Sequence, residues 1–83
     1  MNRNELAELL KYASPYSILV VTYLNKIIEL KTPFRVQLKT DVGELRTGDI
    51  VEVELIKLST NLKTVFVIQG EAYYYFHFNI LID

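Results

Sequence analysis

The chemistry open to this chain is limited by what it lacks: it has no cysteine and one histidine, His77. His77 is the one side chain that can accept and release a proton near neutral pH unaided, and strand alternation sets it beside Tyr73, Tyr75 and Asn79. A general base also needs an oriented partner, and spacing assembles neither a Ser-His-Asp nor a Cys-His arrangement. A half-exposed histidine on a sheet surface is the simpler expectation. The carboxylates add little. Glu52 and Glu54 alternate on a solvent face, while Asp41, Glu44 and Asp49 lie in or beside turns, and nothing marks an apolar pocket that would raise a carboxyl pKa. Asp41-Val42-Gly43-Glu44 lacks the oxygen ligands of an EF-hand loop, and no glycine-rich phosphate cradle is present. The expectation is a protein that is not an enzyme and holds no metal or cofactor.

Binding is the better-supported chemistry. The chain is 51% hydrophobic, with six tyrosines and four phenylalanines. Within the segment from Ala72 to Ile82, alternation sends Tyr74, Phe76, Phe78, Ile80 and Ile82 to one face, read as core. Tyr73, Tyr75 and His77 then share the opposite face, where a hairpin at Gly70 would bring Val65 and Val67 beside them. Val65, Val67, Tyr73, Tyr75 and His77 are therefore the expected interface, because tyrosine buries a large ring while keeping a polar tip. The competing expectation is a barrel interior or scattered surface aromatics. The expected partner is another protein, most simply a second copy, and the absence of Lys and Pro from Ala72 to Ile82 would leave a terminal edge strand open to pairing.

A second binding chemistry comes from uneven charge. Lys26, Lys31, Arg35 and Lys39 face a single acid, Glu29, whereas Asp41, Glu44, Asp49, Glu52 and Glu54 are opposed by Arg46 alone. Lys31, Arg35 and Lys39 could contact phosphates while Tyr73 and Tyr75 stack on bases, which would make a nucleic-acid-binding module. A net charge of −1 and a pI near 5.8 argue against the broad basic field that such binding uses. The plainer expectation sets Arg35 and Lys39 across from Glu52 and Glu54 in cross-strand pairs.

The elements that must position these residues divide the chain in two. Asn2 and Glu5 have capping-box spacing, and Leu6, Leu9, Leu10 and Ala13 follow at helical intervals, predicting a helix over about 3–13. For 17–30 the sequence supports two arrangements. Ser14-Pro15 is a helix-start pair, and Thr22, Asn25, Lys26 and Glu29 form a polar stripe at helical spacing, favouring a second helix to about Lys31. The β-branched Ile18, Val20, Val21, Thr22, Ile27 and Ile28 would instead suit a strand pair. From Pro33 the period is two: strands are predicted at Phe34 to Leu38, from Val51, from Thr64 to Gln69 and from Ala72 to Ile82, with a bulge or two-sided burial near Ile56.

Glu44-Leu45-Arg46-Thr47-Gly48-Asp49-Ile50-Val51-Glu52-Val53 resembles the diverging-turn segment of SH3 domains. The resemblance covers these residues only and implies a compact antiparallel sheet or partly open barrel. The tryptophans that help SH3 domains grip proline-rich peptides have no counterpart, since the chain has no tryptophan.

The expected fold class is α+β: one or two N-terminal helices packed on a four-stranded antiparallel sheet or partly open small β-barrel, as a single domain over 1–83 with its helical part in 1–31 and its sheet in 33–83. The longest apolar runs, Ile18 to Val21 and Ala72 to Phe76, are far shorter than the roughly 20 residues of a membrane-spanning helix. With no basic-then-apolar leader at the start, a cytoplasmic location is expected.

Overall fold

A computed structural model describes residues 5 to 82, and it contains no α-helix among them. Among the described residues nine strands form two antiparallel sheets, with one 3-10 turn at Tyr75–His77. The strands are β1 (Glu5–Ser14), β2 (Ser17–Thr22), β3 (Ile27–Lys31), β4 (Phe34–Leu38), β5 (Ile50–Val53), β6 (Leu55–Leu58), β7 (Thr64–Ile68), β8 (Glu71–Tyr74) and β9 (Phe78–Ile82). The larger sheet runs β3-β2-β1-β9-β4-β5 and the smaller β6-β7-β8. The expected α+β class is therefore corrected to an all-β one, with the sheets packed on each other instead of under helices.

The described part of the helix expected over 3–13 is strand β1; residues 3–4 and Asn2, its expected cap, lie outside the described residues. Two register shifts interrupt the alternation of this strand. β1 pairs with β2 along its length, with irregularities between Leu9 and Lys11 and between Tyr12 and Ser14. An extra residue in a strand turns the following side chain to the other face. Ala7 is buried and Leu9 and Tyr12 pack against the core, whereas Leu6, Leu10 and Ala13 of the expected helical stripe are exposed. Tertiary pairing also overrides local propensity, because β1 supplies the second hydrogen-bonding edge of β9, matching Leu6 with Leu81 and Ala7 with Ile80.

The second helix is likewise corrected. β2 and β3 form the strand pair, with Val20 opposite Ile28 and Ile18 opposite Leu30. Asn25-Lys26 alone is a poor hairpin turn, but the actual turn is longer and starts at Thr22. Thr22 Oγ1 accepts hydrogen bonds from the N–H groups of Leu24 and Lys26, and Asn25 takes a left-handed φ of 59°. Asparagine tolerates that conformation better than most residues, so no glycine is needed.

The expected C-terminal strands are present, with breaks that alternation did not show. β5 runs into β6 at Glu54, where the chain passes from the larger sheet to the smaller, and Glu54 N–H donates to Val67 O at 2.9 Å. Ile56, where a bulge was expected, is fully buried, and its N–H donates to Pro15 O at 2.8 Å. β9 lies between β1 and β4, not at an edge.

The core fills the space between the sheets. Ile18 and Val20 of β2, Phe34 and Val36 of β4, and Ile80 of β9 meet Val53, Ile56, Phe66 and Ile68. Phe66 packs edge-on against Phe34 at a centroid distance of 5.5 Å and tilted against Phe78 at 5.9 Å. With Phe66 at 0% exposure, Phe66→Ala is expected to cost about 3–5 kcal/mol. Urea denaturation followed by circular dichroism measures this, and a loss below about 1 kcal/mol would contradict the packing.

Candidate functional site

The β7–β8 hairpin decides which side chains share a surface. Its turn is Gln69-Gly70, both at positive φ (52° and 79°), as a two-residue hairpin turn requires. A two-residue turn pairs Ile68 with Glu71, so Val67 meets Ala72, Phe66 meets Tyr73 and Val65 meets Tyr74. Opposite residues lie on one face. Val65 and Val67 thus share the outer face with Tyr74 and Ala72, whereas Tyr73 points inward with Phe66. The grouping of Val65 and Val67 with Tyr73 and Tyr75 is off by one residue, and a one-residue slip exchanges faces.

Tyr73 is a structural residue. Its ring packs against the core, edge-on to Phe78 at 6.1 Å, and lies so close to Gly43 that a Cβ there would sit 3.2 Å from its Cε1. Gly43 also has a φ of +57°, so both space and backbone favour glycine. This contact anchors the 39–49 loop, whose part from Glu44 onward carries the SH3-like segment. Val42 and Leu45 exchange backbone hydrogen bonds of 3.0 and 2.9 Å, and Asp49 Oδ2 accepts from Arg46 N–H at 3.0 Å. Of the carboxylates expected in or beside turns, Asp41 and Asp49 bond within the loop itself.

Asp41 Oδ1 accepts from the Thr47 N–H and the Thr47 hydroxyl, each at 2.8 Å. The backbone bond first and the hydroxyl second hold the carboxyl below its ordinary value, because they favour the ionised form.

β8 ends at Tyr74, and the 3-10 turn then shifts the phase before β9. Phe78, Ile80 and Ile82 are core as expected, but Tyr74 and Phe76, read as core, are 39% and 45% exposed. The two rings stack at 5.4 Å with an interplanar angle of 14°. Lys63 Nζ lies 5.9 Å from the Tyr74 ring centroid and 5.8 Å from that of Phe76, a cation–π arrangement. Lys63 is positioned by the 59–63 loop, in which its N–H donates to Ser59 Oγ at 3.0 Å and its carbonyl accepts from Ser59 N–H at 2.9 Å. Beyond these rings, the rows Lys57–Val65–Tyr74 and Leu55–Val67–Ala72 complete the outer face of the smaller sheet.

Tyr75 and His77 lie outside those rows. Tyr75 lines a cleft of about 380 Å³ with Lys39, Glu8 and Phe76, where β1 and β9 diverge. His77 ends the 3-10 turn, half-buried, with its ring 4.6 Å from that of Phe76 and its carbonyl accepting from Lys39 N–H at 2.8 Å. The three cations of the phosphate expectation are not brought together. Lys31 and Arg35 border one cleft and Lys39 another, and Arg35 stands opposite Glu52 as the cross-strand expectation had it. Lys39 does not face Glu54, since it follows the end of β4. Among the described residues no three His, Asp or Glu side chains come together to hold a metal ion, and no helix is long and apolar enough to cross a membrane.

Comparison with protein-family models, curated proteins and solved structures returned no match.

Two outcomes test this geometry. Tyr73→Ser is expected to destabilise the fold by about 2–4 kcal/mol, whereas Tyr74→Ser costs under about 1 kcal/mol; equal losses in thermal or urea unfolding would contradict the assignment of faces. Because the folded Asp41 pKa is depressed, its contribution is complete above the unfolded-state value of about 4 and is lost as pH falls through the folded one. Asp41→Asn should flatten the decline in stability over that acidic window and leave the slope near neutrality unchanged, as acid titration of the unfolding midpoint would show.

Proposed function

We propose that this chain is a small non-enzymatic assembly module that self-associates through its C-terminal hairpin, using the outer face of β6, β7 and β8. The observation that carries the reading is one face of the smaller sheet that sets half-buried Leu55, Val65 and Val67 beside exposed Ala72 and Tyr74, with the stacked rings of Tyr74 and Phe76 at its margin. Exposed apolar patches of several hundred Å² are the upper range for monomers and commonly mark interaction sites. Two further features fit. β8 is an edge strand without Lys or Pro, and those residues commonly blunt such edges. Tyrosine is also among the residue types that most often carry binding energy at interfaces.

Sedimentation velocity over a micromolar concentration series tests the proposal. Species larger than the monomer should grow with concentration. Tyr74→Lys combined with Phe76→Lys should weaken association at least about tenfold, equivalent to 1.4 kcal/mol, without lowering the unfolding midpoint appreciably. A chain that stays monomeric across the series overturns self-association.

A further inference from the structure

We infer that the assembly is head-to-tail: the lysine-bearing aromatic face of one copy docks on the acidic Ile50 cleft of the next, not on its own equivalent. The inference rests on the self-association proposed above and concerns which surfaces meet. Charge separates the two possible arrangements. The outer face of the smaller sheet carries Lys57 within its rows and Lys63 over the rings, and its rows contain no carboxylate. A two-fold contact between two such faces would gather four ammonium groups around one apolar patch. Like charges brought together in this way select against that partner.

A complementary surface lies elsewhere on the same chain. A cleft of about 360 Å³ is lined by Ile50, Val51, Glu52, Glu54, Ile68 and Gln69. Ile50 is 48% exposed there, an apolar contact flanked by two carboxylates. Arg35 also borders the cleft, opposite Glu52, so the surface keeps a net charge of −1. Glu54 is held in place by accepting the Gln69 N–H at 3.3 Å. The two surfaces share no residue. Lys63 immediately precedes β7 and Gln69 immediately follows it, so the strand's five residues, about 16 Å at the usual rise, separate Lys63 from the cleft, while Leu55 and Val67 at the near edge of the face adjoin its Glu54 and Ile68. One copy can therefore offer its face to one neighbour and its cleft to another. Such a contact propagates into an open chain, or closes into a ring if the rotation between copies allows.

Complementary variants decide between the arrangements. Lys57→Glu with Lys63→Glu disables the face, and Ile50→Lys disables the cleft; both change exposed side chains, and circular dichroism checks that each still folds. Each variant alone should sediment as a monomer at concentrations where the unmodified chain associates. An equimolar mixture should form a one-to-one dimer and nothing larger, because it contains one working face and one working cleft. As a milder cleft change, Glu52→Gln with Glu54→Gln should weaken association of the otherwise unmodified chain at least about tenfold. If folded Ile50→Lys associates as the unmodified chain does, or if the folded mixture stays monomeric, the head-to-tail arrangement is overturned while self-association stands. A monomeric unmodified chain overturns both.

Discussion

The inner faces of the two sheets bury chiefly against each other, and Phe66 is where they meet. No described helix covers either sheet, so the apolar side chains of β2, β4 and β9 find their counterpart in β6 and β7. Phe66 projects from the middle strand of the smaller sheet onto Phe34 and Phe78 of the larger. The other placements follow from this contact. With Phe66 inward, Val65 and Val67 face out; the two-residue turn then sends Tyr73 inward and Tyr74 outward. The surface proposed for assembly is thus the reverse side of the core, fixed by the same alternation.

Much of the sheet was legible in the sequence because its strands after Pro33 have an inside and an outside. Phe34, Val36 and Leu38 alternate without interruption, and so the strand, its pairing with the Val51 strand and the Arg35–Glu52 pair all follow. The N-terminal third was misread for two physical reasons. In β1, Leu6, Leu9, Leu10 and Ala13 stand at helical intervals, yet the paired strand turns only Leu9 of the four toward the core. In β2 and β3, the polar stripe belongs to a turn and an exposed face, and the β-branched residues were the better guide. The turn needed no glycine because Thr22 and Asn25 supply its hydrogen bonds and its left-handed residue.

The surface residues show the same limit at finer scale. Val65 and Val67 were identifiable as part of an outer face, but the partner rows depend on whether the turn contains two residues or another number. Counting outward from Gln69-Gly70 would have found Tyr74. Phe76 carried no such signal, since its exposure results from a single 3-10 turn that interrupts an otherwise regular alternation. Lys63 was invisible for another reason: it meets the rings from a loop, and a loop's reach is not written in a period of two.

The position of β9 bears on how the chain reaches its fold. The ladder between β1 and β9 matches Glu5 with Ile82, the two limits of the described chain, while β4 flanks β9 on its other side. Hairpins such as β2–β3 and β7–β8 can form within microseconds, but pairs this distant must first close a long loop, and proteins rich in such pairs fold in milliseconds to seconds. Until β9 inserts, β1 and β4 each expose a row of unpaired N–H and C=O groups. Closing the β1–β9 ladder carries a larger loop-entropy cost than closing either hairpin, and a strand edge left open in the meantime is one that another chain could pair with.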